Sequence, residues 1–323
     1  MKRWSPRLPQ VAAERDLTTM ASIGGGLLIP EDAAWPAGLK DLGLAAPIGL
    51  WFRGTSGLPA LSDCVAVVGS RDSTAYGNAV VADIAHGLAV RRKTVLSGGA
   101  YGIDAAANRA ALTAKSAESV ATIAVMAGGL DRFYPAGNEL LLREISQSGL
   151  LLAEVPPGCN PTRYRFLQRN RLIAALSSAT VVVEARWRSG ALNTAHHAAE
   201  MGRHVAAVPG SVYSANSAGC HRLLREGAAV CVSDAAEICE LISPSGVLSP
   251  MHIPDRAEHD GLPAEDLLLL DALPVRRGSS VEKLAGVAGL DEASVRAGLG
   301  RLELLELAKR SENGWLRRRP SST

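Results

Sequence analysis

Val65-Ala66-Val67-Val68-Gly69-Ser70-Arg71 leads through an Ala-rich stretch, Ala79–Val90, to Thr94-Val95-Leu96-Ser97-Gly98-Gly99. Both apolar runs are continuous rather than alternating, which is how strands buried on both faces of a parallel sheet read. Each run ends at a glycine turn, and the stretch between them suits a crossover helix. A strand–helix–strand unit of this kind sets the fold class as α/β.

The same texture continues outward. Apolar runs recur at Val120–Val125, Leu150–Ala153, Thr180–Val183, Val205–Val208 and Ala229–Val232. Helices are expected at Asp104–Thr113, Asn138–Ser146, Arg169–Leu176 and Leu192–Met201, the third of them starting near Tyr164. This alternation predicts a doubly wound parallel sheet over residues 61–243. Residues 1–60 read as an irregular N-terminal extension, punctuated by Pro30, Pro36, Pro47 and Pro59. Trp35, Trp51 and Phe52 are its expected anchors on the core. Residues 244–262 read as a linker. Residues 263–323 read as a small winged-helix domain: helices at Ala264–Ala272, Ser280–Val287 and Glu292–Leu305, then two short strands about Glu312-Asn313-Gly314.

Composition narrows the function classes. The 323 residues are 47% hydrophobic and 20% charged, as in a packed globular chain, and the net charge is only +2. A nucleic-acid partner would therefore be held by a local basic patch. No uncharged apolar stretch approaches the roughly 18–20 residues that span a bilayer, so no membrane association is expected. The start, Met-Lys-Arg-Trp-Ser-Pro, lacks the apolar run of a signal peptide. Five cysteines, an odd number without a C-x-x-C pair, fit a reducing cytoplasm better than a disulfide framework or a zinc site. His196 and His197 are adjacent, and neighbours on a helix do not share a face, so they read as structural rather than metal-ligating.

The carboxyl ends of the strands are where an open parallel sheet carries its site. There the sequence places Gly69-Ser70-Arg71, then Ser97-Gly98-Gly99-Ala100-Tyr101-Gly102-Ile103-Asp104, Ala127-Gly128-Gly129-Leu130-Asp131, Glu184 with Ser189-Gly190, and Pro209-Gly210-Ser211. Glycine turns let backbone N–H groups approach an anion, and helix N-termini add a favourable dipole. Several such turns on one edge point to a phosphate-bearing ligand. The strict G-x-G-x-x-G is absent and no acid ends the strand at Thr94–Ser97, which argues against a dinucleotide. No Walker A lysine motif is present either.

Asn160-Pro-Thr-Arg163-Tyr-Arg165-Phe166-Leu-Gln-Arg169-Asn170-Arg171 is the most informative stretch. No acidic residue occurs from Val155 to Val183, yet four arginines lie between positions 163 and 171. A helix start favours acids, because the dipole is positive there. Arginines at that end are locally unfavourable unless they bind an anion. Arg165 and Arg169 share one face, and Phe166 and Asn170 another. An aromatic ring beside arginines and an amide suits single-stranded nucleic acid, the ring stacking a base and the cations holding phosphate.

These motifs, in this order, resemble the DNA-processing protein A (DprA/Smf) family from about Ile29 to Ile242. The resemblance rests on Val68-Gly69-Ser70-Arg71, Ser97-Gly98-Gly99 with Gly102-Ile103-Asp104, and Gly129-Leu130-Asp131 with Tyr134-Pro135. It continues through Phe166 with Arg169-Asn170-Arg171, Glu184 with Ser189-Gly190, and Val208-Pro209-Gly210 with Gly219-Cys220. It implies an extended Rossmann-like domain that binds single-stranded DNA, protects incoming DNA in natural transformation and helps load a RecA-type recombinase. It also implies a homodimer. No enzymatic activity, catalytic residue, metal or cofactor is expected. The expected DNA-contacting set is Gly69, Ser70, Arg71, Ser97, Gly98, Gly99, Tyr101, Gly102, Gly128, Gly129, Arg163, Arg165, Phe166, Arg169, Asn170, Arg171, Ser189 and Gly190.

Three features depart from the family pattern. Leu167 stands where proline is usual, Tyr101 where many members carry arginine, and few residues precede the match, so the family's helical N-terminal domain is expected to be absent or shortened. In the C-terminal unit, the expected recognition helix sets Glu292 and Glu303 against Arg296 and Arg301, a nearly neutral face ill suited to gripping a duplex. The basic residues there are Lys309, Arg310, Arg317, Arg318 and Arg319, in and after the wing. The competing reading is a nucleotide-processing enzyme similar to the lysine-decarboxylase-like phosphoribohydrolases, with Glu184 as its nearest candidate acid. The flank Ala185-Arg186-Trp187-Arg188-Ser189-Gly190 does not match that family's P-G-G-x-G-T-x-x-E motif.

Overall fold

The computed structural model describes residues 12–55, 57–114, 120–243, 262–275 and 277–318. By contacts the chain divides into two compact units, Met1–Ser249 and Pro250–Thr323. Most of the expected linker, residues 244–261, and Arg319 lie outside the described residues.

The first unit opens with helix α1 (Ala13–Ser22) and strands β1 (Gly25–Leu28) and β2 (Leu50–Gly54). It continues as β3 (Cys64–Val68), α2 (Ala75–Val90), β4 (Thr94–Ser97), α3 (Ile103–Thr113), β5 (Thr122–Met126), α4 (Glu139–Ser148) and β6 (Leu150–Ala153). Then follow α5 (Arg163–Ala175), β7 (Ala179–Val182), α6 (Gly190–Glu200), β8 (His204–Ala207), α7 (Ala218–Arg225), β9 (Val230–Cys231) and α8 (Ala235–Ile242). The strands form one nine-stranded sheet in the order β1-β2-β6-β5-β4-β3-β7-β8-β9. Neighbours from β6 to β9 pair in parallel.

The continuous apolar runs are explained by layers on both faces. Every residue of β3 is buried, and alternate side chains point to opposite sides. Val65 and Val67 pack with Val81, Ile84 and Ala107 from α2 and α3. Ala66 and Val68 pack with Leu172, Ile173 and Ala195 from α5 and α6. The sheet is thus covered on each face, as the α/β reading requires.

The N-terminal segment differs from its reading as irregular. It supplies α1 and two antiparallel strands, and β2 extends the sheet by pairing Trp51 with Ala153 and Gly54 with Leu150. Gly25-Gly26-Leu27-Leu28 carries no hydrophobic period, and the partner that orders β2 lies about a hundred residues away, so no local signal marks either strand. Trp51 is buried, and Trp35 and Phe52 pack on the core. His196 and His197, adjacent on α6, both reach Glu200 one turn later, at 3.2 and 3.1 Å.

The second unit packs α9 (Ala264–Ala272), α10 (Val281–Ala288) and α11 (Glu292–Leu304) around Leu269, Leu270, Leu284, Val295, Leu299 and Leu302. A hairpin follows, β10 (Ala308–Ser311) with β11 (Gly314–Arg317), and Ser279 bridges to Trp315 beside it. Arg301 grips the buried carboxylate of Asp266 with two bonds, at 2.6 and 2.7 Å. Arg296 pairs with Glu292 at 2.6 Å. Both arginines of α11 are therefore occupied by acids.

Candidate functional site

The strand order reverses at β3. The chain passes to β4, β5 and β6 on one side, whereas β7, β8 and β9 lie on the other. Connections that leave neighbouring strands in opposite directions open a crevice at their carboxyl ends. A cavity of about 430 Å³ lies there, walled by Gly69, Ser70, Arg71 and Asp72 after β3, by Phe166, Leu167, Arg169 and Asn170 of α5, and by Arg186, Arg188, Ser189 and Gly190 between β7 and α6. Four arginines and two aspartates, Asp72 and Asp104, line it, a balance that favours an anion.

The guanidinium of Arg71 lies over the Phe166 ring, 4.6 Å from its centre, a cation–π contact. Tyr134 approaches the same ring at 6.0 Å. Beyond Phe166 lies a second, smaller cavity of about 140 Å³, bounded by Gly98, Gly128, Gly129, Tyr134, Asn160 and Pro161. Phe166 thus stands in the wall of both cavities, partly exposed, with a cation against it.

Arg169 sits deeper than a solvated phosphate-binding arginine. Its side chain is 6% exposed, and Nη1 lies 3.9 Å from the Asp104 carboxylate. Gly98 makes that position possible, since a Cβ there would fall 1.5 Å from Nη1. Asp104 also accepts the Gly98 amide at 3.1 Å. Burial pushes the Asp104 carboxyl up, opposed by Arg169 and by the backbone donors. Burial likewise lowers the Arg169 guanidinium, opposed by Asp104 and aided by Arg71. The two form a buried ion pair, and burial disfavours the charged form of each member.

The acid-free stretch is therefore not acid-free in space. Asp104 of α3 answers Arg169, and Glu154, just after β6, holds Arg171 at 2.6 Å. Arg165 reaches the Asn160 carbonyl. Arg163 is exposed at the first turn of α5, whose N-cap is Thr162. Asn170 donates to the Gly190 carbonyl and to Asn193, at 3.2 and 3.1 Å, which fixes the start of α6 beside α5.

The sequence profile of the family described as DNA recombination-mediator protein A matches residues 26–243. The chain belongs to that family. It is 45% identical over 314 residues to the putative DNA processing protein DprA of Mycobacterium tuberculosis, covering 94% of this chain and 79% of that one. The DNA processing protein DprA of Streptococcus pneumoniae is 40% identical over 209 residues, covering 65% and 72%. Its solved structure aligns with a TM-score of 0.65 at 35% identity, covering 73% of this chain and 80% of that one. DNA processing protein A of Helicobacter pylori, solved to show its single-stranded DNA binding mode, aligns at 0.60 with 28% identity, covering 68% and 96%. The resemblance read from the motifs and the α/β fold both stand.

Within the family region the remaining expected positions divide. Ser189 caps α6 by accepting the Ala191 amide, and with Gly190 it faces the first cavity. Ser97 is fully buried, and its hydroxyl donates to the Val67 carbonyl at 2.7 Å, so it faces no ligand. Gly99 packs under Leu142, and Gly102, at φ +74°, brings the start of α3 against the Ser70 carbonyl. Tyr101 is half exposed, its hydroxyl accepting the Gly137 amide. Glu184, the acid of the enzyme reading, is 2% exposed and accepts from the Thr74 amide and hydroxyl at 3.0 and 2.6 Å. It anchors α2, and the phosphoribohydrolase reading is not favoured.

Sequence reasoning missed Arg186, Arg188 and Asp104 as site residues. The first two follow β7 at its carboxyl end, so the rule that found Ser189 and Gly190 also reaches them. Arg186 is held by Asp72 at 2.5 Å and Asn216 at 2.7 Å.

Proposed function

We propose that the protein binds single-stranded DNA along the carboxyl edge of its sheet and acts there as a recombination mediator, without catalysis. In this reading it shields incoming strands during natural transformation and hands them to a RecA-type recombinase in the cytoplasm, as a homodimer. One observation carries the binding reading: Arg71 stacked on Phe166 at the mouth of an arginine-rich cavity. That arrangement offers a base an aromatic face and its phosphate a cation within one residue's reach. Family membership and the relative solved for its single-strand binding mode support it. Among the described residues no helix is long and apolar enough to cross a membrane.

The second unit has the order of a winged helix, and we assign it an auxiliary role. Its α11 arginines are engaged by Asp266 and Glu292, which leaves that helix little to offer a duplex. In competition at fixed salt, a single strand is therefore expected to displace a duplex of matched length from the protein. Equal or tighter binding of duplex would reject the assignment and make the second unit the main binder. Light scattering at micromolar concentration is expected to give the mass of two chains; a monomer removes the dimer from the reading.

A further inference from the structure

Arg186-Trp187-Arg188 belongs to no motif of the resemblance, yet two of its side chains wall the switch-point cavity. The Ser189 amide donates to the Arg186 carbonyl at 3.0 Å, so Trp187 and Arg188 are the central pair of a turn. Trp187 stands at the tip of that turn, 51% exposed. On this hydrogen-bonded turn Trp187 keeps about half of its surface open to solvent, an apolar face on which a base can stack. One cation lies over it: Arg222 of α7, 5.1 Å from the ring centre. Glu226 holds Arg222 in place at 2.9 Å.

We propose that Trp187 is a second base-stacking platform, carrying the single strand out of the cavity toward α7. This rests on the reading of the cavity edge as a single-strand site. The pair repeats the chemistry of the first platform, an aromatic face with an arginine 5.1 Å away in place of 4.6 Å. Arg186 and Arg188, on either side of Trp187 in the chain, line the cavity of the first platform; Asp72 holds Arg186, and among the described residues Arg188 has no ion pair, which leaves it a cation for the strand. A base of any identity presents a π face, so the platform adds affinity and length of contact rather than sequence preference.

A length series of oligothymidines, read by fluorescence anisotropy on the full chain, tests this. Wild type and Trp187→Ala should bind the shortest oligomers alike. Once the strand is long enough to reach the turn, wild type should gain affinity and the variant should not. The gap should open to roughly 5- to 150-fold, the worth of one stacked base. Trp187→Phe should keep most of the gain, and an oligomer carrying 5-iododeoxyuridine should cross-link to Trp187 on irradiation. Parallel length curves for wild type and Trp187→Ala overturn the platform while leaving the cavity site intact. A uniform loss at every length overturns it too, and with a fall in mass by light scattering assigns the ring to a protein contact. Wild type that binds no oligomer overturns the cavity site itself.

Discussion

Arg169→Met is expected to lower stability at pH 8 by about 3–5 kcal/mol, because it leaves the buried Asp104 carboxylate without its cation. Adding Asp104→Asn to the same chain should recover most of that loss, since removing both members of a buried pair costs far less than removing one. The pH dependence has a definite sign. Burial already raises the Asp104 carboxyl, and Arg169 is what opposes the rise. Without Arg169 the folded-state value climbs further above that of the unfolded chain. A group raised in this way contributes stability that is fully present below the ordinary carboxylate range and lost as pH rises through the raised value. The deficit of Arg169→Met should therefore shrink toward acid and grow toward neutral pH. Gly98→Ala should resemble it, because the new methyl would occupy the place of Nη1. Urea unfolding of the four proteins at several pH values measures all of this. A deficit that ignores pH, or a double variant no better than the single, would show that Asp104 and Arg169 are not a coupled pair.

The layers of the sheet are legible in the chain because burial on both faces demands uninterrupted apolar runs such as Cys64–Val68, and that demand is local. The switch point is legible for a related reason: each turn at a carboxyl end can be read in isolation, and the fold then gathers Gly69-Ser70-Arg71 and Ser189-Gly190 around one cavity. What escapes is pairing across distance. Leu50–Gly54 becomes a strand only against Leu150–Ala153, and nothing near residue 50 states this. The same holds for charge. The run of arginines in α5 is unrelieved in sequence, but Asp104 and Glu154 arrive from α3 and from the end of β6. Ser97 shows a third limit. It ends its strand beside the glycine turn, yet its side chain takes the interior side and bonds Val67. Which way the last residue of a strand points is set by register, which composition does not reveal.

Phe166→Ala is expected to weaken oligonucleotide binding by roughly 5- to 150-fold at every salt concentration, since a stacked base is worth about 1–3 kcal/mol and releases no counterion. Arg71→Ala should behave differently. It should weaken binding most at low salt and flatten the slope of log affinity against log salt by about 0.7, the share of one phosphate on a single strand. The structure adds a condition that the two roles alone do not contain. The guanidinium lies 4.6 Å over the ring, so each group shapes the other's position. Residues in contact couple by about 0.5–3 kcal/mol, and the double variant should lose less than the product of the two single losses. Arg71→Lys separates the contributions. An ammonium keeps the charge and hence the salt slope, but it cannot lie flat on the ring as guanidinium does. Lysine should thus restore the slope without restoring full affinity. Salt titrations of wild type and the four variants, with thermal melts alongside, read each outcome. If Phe166→Ala chiefly lowers the melting temperature, the ring is a packing residue, and Tyr134 rather than a base is its working partner. If Arg71→Ala leaves the slope unchanged, the phosphate path does not pass over the turn after β3, and the cations that matter are Arg186 and Arg188 on the opposite wall of the cavity.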